Sequence, residues 1–198
     1  MTTRIAVIFG ARGGIGSAVR EEFLNAGYRV VPVNSSSVDF NNPVSYQQVA
    51  TILAVDPDIV INCVGHFDNT NTETHNNTMD INVGSNWSII QYYIKNPPVK
   101  FVKIIMVGSS AYVSGRKSYI LYAASKAALY NIWQGASDYF YNSTVKLGLI
   151  NPVRTRTPLI DMSTLAVCLT PHDVALEILS MASTKSNQLV DMKYPEEN

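Results

Sequence analysis

Short apolar runs alternate along this chain with longer stretches in which apolar residues recur at helical spacing. The runs lie near 4–9, 28–33, 58–62, 101–107 and 145–150, with a weaker one at 188–191, and predict strands. The stretches near 15–26, 44–54, 76–95, 119–141 and 171–182 predict helices. Arg4-Ile-Ala-Val-Ile-Phe9 is apolar almost throughout, as expected of a strand covered on both faces. Strict alternation of the two element types predicts an α/β domain: a doubly wound parallel sheet in three α/β/α layers. Pro97-Pro98 stops the third helix, and Thr170-Pro171-His172-Asp173 reads as an N-cap followed by proline at the first helical position.

Two places break the pattern. Pro32 falls in what should be an interior strand, where a missing N–H is costly, and a position at the strand's end would relieve that cost. The second strand also runs through Asn34, Ser35, Ser36 and Ser37 almost directly into Val38-Asp39-Phe40, so the usual crossover there is absent or reduced. The polar stretch from Asp68 to Thr78 is expected as a loop.

At 198 residues, 46% of them hydrophobic, the chain reads as a single domain over 1–198 with a real core. Fifteen basic residues balance fifteen acidic ones without a long like-charge run, which gives no electrostatic case for nucleic acid or an anionic membrane. No apolar stretch approaches the ~20 residues of a membrane span. The N-terminus enters a strand directly, so no signal peptide is expected and the reading is cytoplasmic. Cys63 and Cys168 lie in unrelated segments, read as buried reduced thiols, and no metal site is expected.

The first strand ends in Gly10-Ala11-Arg12-Gly13-Gly14-Ile15-Gly16 and a helix follows. Strand, glycine turn and helix in that order open a dinucleotide-binding fold: the turn lets backbone approach a pyrophosphate, and the helix N-terminus offers free N–H groups and a positive dipole end. Further on, Tyr122 and Lys126 share a helix face at i and i+4, and Ser109 sits thirteen positions before the tyrosine. A phenol normally titrates near pH 10, and a nearby ammonium favours phenolate, which suits Tyr122 for proton exchange near neutral pH.

The spacing Gly10, Gly14, Gly16, together with Ser109, Tyr122 and Lys126, resembles the short-chain dehydrogenase/reductase family. Asn62-Cys63-Val64-Gly65 stands where that family has Asn-Asn-Ala-Gly. Asn82 matches its helical active-site asparagine, and Asn151-Pro152 stands where it has Pro-Gly and then threonine. The resemblance runs from Arg4 to about Thr157 and implies a Rossmann-like fold in compact form, with a reduced second crossover and a short lid. It also implies hydride transfer between a nicotinamide and a carbonyl or alcohol carbon of a small-molecule substrate. Tyr122 would be the acid, Lys126 would lower its pKa and hold the nicotinamide ribose, Ser109 would orient the substrate oxygen, and Asn82 would bind a water linking Lys126 to solvent. Ser110 is a rival for Ser109. Tyr119 is a rival acid without a lysine partner, and His66 could meet the substrate or be structural.

The cofactor's path would follow Gly10, Arg12, Gly13, Gly14, Ile15 and Gly16, then Asn34, Ser35, Ser36, Asp39 and Phe40, then Asn62, Val64 and Gly65. It would end at Tyr122, Lys126, Pro152, Val153, Thr155 and Thr157. Asp39 resembles the family's adenine-contacting aspartate. The end of the second strand holds Asn34 rather than an acid; with the serines and Arg12 this favours NADP over NAD, use of both being left open. Arg154 and Arg156 could receive an anionic substrate group or be plain loop charges. The run around them is similar to one in reductase domains fused to sugar- or polyol-phosphate cytidylyltransferases.

Homodimers or homotetramers are common in the family. Leu129, Ile132 and Trp133 could form such an interface or pack on the sheet. One rival reading is an extended relative, an epimerase or dehydratase, which needs a second domain. The other is a catalytically silent cofactor-binding sensor or scaffold.

Overall fold

The fold is that of a computed structural model, which describes residues 3–42, 45–67, 71, 75–157, 159 and 167–194. Each predicted run forms a strand: β1 (Ile5–Phe9), β2 (Arg29–Val33), β3 (Ile59–Asn62), β4 (Val102–Val107), β5 (Val145–Asn151) and β6 (Gln188–Asp191). They make one sheet in the order β2-β1-β3-β4-β5-β6, every neighbouring pair parallel.

Because strand side chains alternate between faces, the apolar runs feed two cores. Val7, Phe9, Val60, Ile104, Met106, Leu147 and Leu149 point into one, closed by helices α2 (Ser45–Leu53), α4 (Ser85–Lys95) and α5 (Ile120–Tyr139). Ala6, Ile8, Ile59, Ile61, Ile105, Val107 and Ile150 point into the other, closed by α1 (Gly14–Asn25) and α6 (Pro171–Ala182). The capping box predicted at α6 is present, with Asp173 N–H donating to Thr170 Oγ1 at 3.2 Å and Thr170 N–H donating to Asp173 Oδ2 at 2.7 Å.

Pro32 is not in an interior strand. The sheet ends at β2, and Pro32 is the exposed fourth residue of that edge strand, a position where a proline is tolerated. Beyond it the Ser37 and Val38 N–H groups close a turn on the Asn34 carbonyl at 2.8 and 3.1 Å, and no strand forms at 38–42. The reduced crossover is therefore a missing outer strand, with α2 leading straight to β3.

The expected helix at 76–95 is three pieces: α3 (His75–Met79), a π-helical turn at Asp80–Gly84, and α4. Of the polar stretch expected as a loop, 68–70 and 72–74 lie outside the described residues, and its end is α3. Much of the short lid expected after Thr157 also lies outside them. Leu129 is wholly buried in the first core, and Ile132 and Trp133 pack half-buried against it. No helix among the described residues is long and apolar enough to cross a membrane.

Lys103 lies inside apolar β4 and is fully buried. Its ammonium donates to the Ser186 carbonyl at 2.6 Å, Gln188 Oε1 at 3.0 Å and Thr184 Oγ1 at 3.2 Å, which supplies the partners a buried charge needs.

Candidate active site and cofactor cleft

Two cavities open along the C-terminal ends of the strands, where open α/β sheets bind ligands. The first, about 330 Å³, is built from the ends of β1, β2 and β3. β1 turns at Gly10, whose φ of 76° favours glycine. A Cβ there would stand 3.0 Å from the Cys63–Val64 backbone. A Cβ on Gly16 would fall on the Gly10 carbonyl oxygen, so α1 can start this close to the turn only with glycine there. No side chain caps the start of α1.

Arg12, Gly13, Asn34, Ser35, Asp39, Phe40, Val64 and Gly65 join Gly10 in the wall of this cavity. Asn34 Oδ1 is buried there without a hydrogen-bond partner, an amide left for a ligand to satisfy. Open helix N-terminus, glycine turn and orphaned amide together fit a dinucleotide. Ser36 is exposed and outside this wall. Asn62 is not a wall residue either: its amide donates to Ser85 Oγ at 2.9 Å and its Oδ1 accepts the Val64 N–H at 3.1 Å, fixing the turn after β3. Burial pushes the Cys63 thiol up to about 12, which keeps it an unreactive wall group.

The second cavity, about 440 Å³, lies beyond the ends of β4 and β5. Ser109, Ser110, Tyr119, Tyr122, Pro152, Val153, Thr155 and Thr157 line it, and Ile15 reaches it from the glycine turn. α5, which carries Tyr122 and Lys126, is held at its start by Asn71, whose Oδ1 accepts the Ile120 N–H at 2.9 Å. Phe67 meets the Tyr122 ring edge-on at 4.9 Å and the Tyr119 ring at 5.3 Å.

Ser109 and Tyr122 line the same wall, and the Ser109 hydroxyl is near enough to the phenol to oppose the rise in its pKa. Ser109 Oγ accepts the Ala111 N–H at 3.2 Å, and the Ser109 N–H donates to Asn151 Oδ1 at 3.1 Å. The Lys126 ammonium lies 5.5 Å from the Tyr122 ring centroid and donates to the Val107 carbonyl at 3.1 Å. Burial lowers Lys126 to about 8.

The expected lowering of Tyr122 does not occur. Burial raises its pKa and dominates; the Ser109 hydroxyl lowers it, and Tyr119 raises it. Burial thus favours the neutral phenol at Tyr122.

Asn82 lies in the π-helical turn and is fully buried. Its Nδ2 donates to the His66 carbonyl and to Ser125 Oγ, both at 2.9 Å, and its Oδ1 accepts the His66 N–H at 2.7 Å. The side chain is thus a clamp between the loop after β3 and α5, its N–H groups both engaged. Gly65 sits under this clamp: a Cβ there would meet Asn82 Oδ1 at 3.8 Å and Lys126 Nζ at 4.0 Å.

Of the two arginines expected at the mouth, Arg154 lines the cavity and Arg156 does not; Arg116, in the loop before α5, lines it as well. Arg116 and Phe67 were not legible as site residues, since neither belongs to a periodic pattern. Their only signal was closeness in sequence to Tyr122 and to Gly65. Among the described residues no group of three His, Cys, Asp or Glu is placed to hold a metal.

Fold and cleft together define a nicotinamide-dependent oxidoreductase of the short-chain class. The sequence profile of the NAD dependent epimerase/dehydratase family matches residues 6–145, and the chain belongs to that family, within the short-chain dehydrogenase/reductase superfamily. The profile bears the name of the extended relatives, and its match stops where β5 begins. Over its whole length the chain is 25% identical to the bifunctional ribulose 5-phosphate reductase/CDP-ribitol pyrophosphorylase Bcs1 of Haemophilus influenzae, of which it spans only 44%.

Among solved structures, a short chain dehydrogenase from Burkholderia cenocepacia in complex with NADP superposes with a TM-score of 0.83 at 20% identity, covering 97% of this chain and 89% of that one. The 3-alpha-hydroxysteroid dehydrogenase of a Pseudomonas species, complexed with NADH, gives a TM-score of 0.83 at 17% identity, covering 95% and 94%.

Proposed function

We propose that the chain reduces the carbonyl group of a small substrate with NADPH, or runs the reverse oxidation, at a site made of Ser109, Tyr122 and Lys126. The observation that carries this reading is that Ser109 and Tyr122 line one cavity, with the Lys126 ammonium 5.5 Å from the centre of the tyrosine ring.

When bound, the nicotinamide supplies or accepts the hydride. Gly10, Gly13, Arg12, Asn34 and Ser35 would hold the adenosine end, and Ile15, Pro152, Val153, Thr155 and Thr157 the nicotinamide end. Ser109 Oγ and the Tyr122 hydroxyl would both donate to the substrate carbonyl oxygen, fixing its orientation. Tyr122, kept protonated by burial, would deliver its proton to that oxygen as charge develops there. Lys126 would stabilise the resulting phenolate across the ring it already touches. Asn82 would act indirectly, by holding α5 against the loop that carries Gly65.

Arg12 and Ser35 lie in one cavity wall with no acidic side chain at the end of β2, which supports NADP over NAD. The same reading takes the protein as a cytoplasmic homo-oligomer, with sedimentation in solution as its check. Fluorescence titration with NADPH and NADH, for wild type and Arg12→Ala, tests the cofactor assignment. Tight NADPH binding that weakens in the variant is expected; failure to bind either cofactor would overturn the proposal.

A further inference from the structure

Among the described residues, the charge in the wall of the second cavity is unbalanced. Arg116 reaches it from the loop before α5 and Arg154 from the segment after β5, and no described Asp or Glu is in its wall. Neither guanidinium makes an ion pair among the described residues. The adenosine cavity differs, since there Arg12 is offset by Asp39. The remaining polar wall is rich in hydroxyls, among them Ser110, Ser118 and Thr157.

From this we infer that Arg116 and Arg154 form an anion clamp, and that the substrate is a small polyhydroxylated carbonyl compound carrying a phosphate monoester. The size argues for a small molecule: about 440 Å³ must take both the nicotinamide end and the substrate. The charge argues for an anion, because two guanidiniums drawn from separate loops suit the several oxygens of one phosphate, each guanidinium able to donate a bidentate pair to two of them. The hydroxyl lining argues for a substrate rich in hydroxyls. With Ser109 and Tyr122 on the carbonyl, the arginines would anchor the other end and fix which carbon is presented.

The inference rests on the reductase reading, so its test separates the two. D-ribulose 5-phosphate and D-ribulose are titrated calorimetrically into the NADP-loaded protein, and reduction of each is followed with NADPH. In wild type the phosphorylated ketose should bind about tenfold or more tightly than the unphosphorylated one, since charge-assisted hydrogen bonds are among the strong ones. The gap should shrink in Arg116→Gln and in Arg154→Gln, and close in the double variant. Both residues are exposed, so the variants should fold. Equal binding of the two ketoses, binding of neither, or a gap that survives the double variant would overturn the clamp. Phosphate-dependent binding without turnover would support the clamp and remove the reductase reading. Equal turnover of both ketoses that is indifferent to the variants would do the reverse.

Discussion

Asn151 and Asp191 stand in register on β5 and β6, and Asn151 Nδ2 donates to Asp191 Oδ1 at 2.9 Å. The other end of the same amide accepts the Ser109 N–H, and Tyr112 donates to Asp191 Oδ2 at 3.0 Å. β6 therefore sets the backbone from which Ser109 projects, and for the proposed reaction we take Asp191 as a positioning residue. Asp191→Ala should lower kcat about tenfold, as expected when a reacting group loses its alignment, with the affinity for NADPH unchanged. Asp191→Asn keeps an oxygen for Asn151 and should recover most of the loss. Steady-state kinetics decide: equal damage in both variants would point to the carboxylate's charge rather than its geometry.

Tyr122→Phe removes the hydroxyl proposed as the proton donor and leaves the ring packing on Phe67 intact. Turnover should fall about 10²–10⁴-fold, the usual weight of a general acid, while NADPH titration stays as in wild type. A fully active variant would remove Tyr122 from the mechanism.

Asn82→Ala would strip three hydrogen bonds, two to the His66 backbone and one to the Ser125 hydroxyl. A stability loss of about 1–3 kcal/mol is expected, read from urea midpoints. If the clamp matters to the site, kcat falls in parallel. An unchanged midpoint would show that the loop after β3 and α5 are held by other contacts.

Lys103 makes stability depend on pH. Burial brings it from 10.5 to about 8, so between those values the unfolded chain holds a proton that the folded chain has released. Stability should therefore rise with pH above about 8, the full cost of burying the ammonium being present below it. Lys126, also lowered to about 8, acts in the same direction. Above roughly pH 10 the raised tyrosines, Tyr93 and Tyr122, oppose it. Urea midpoints between pH 8 and 10 should rise in wild type and rise less in Lys103→Met. An identical slope in both would show that Lys103 keeps its proton throughout.

What the sequence disclosed was whatever is local or periodic. The strands, the glycine turn and the Tyr122–Lys126 pair each rest on spacing within one element. Ser109 came from its distance to Tyr122 alone. Pro32 was misplaced because a strand's place at an edge depends on which strands lie beside it, and that is fixed by the whole topology. The clamp made by Asn82 was not legible because its partners, the backbone of His66 and the hydroxyl of Ser125, come together only through a π-helical turn that has no sequence period. Nothing local marks Lys103 as a bonded charge, since its three oxygen partners lie more than eighty residues away. The lowering of Tyr122 failed for an energetic reason: spacing brings the ammonium close but does not reveal how much water both groups lose.

Ending the sheet at β2 also bears on self-association. A bare edge strand offers unpaired N–H and carbonyl groups to any other extended chain, the usual template for aggregation. In β2 the proline has no N–H to offer, and Arg29 at the start of the strand is exposed and charged. The trimmed sheet thus carries its own guard against stacking edge to edge, and Pro32→Val should make the protein less soluble on concentration without touching the cleft.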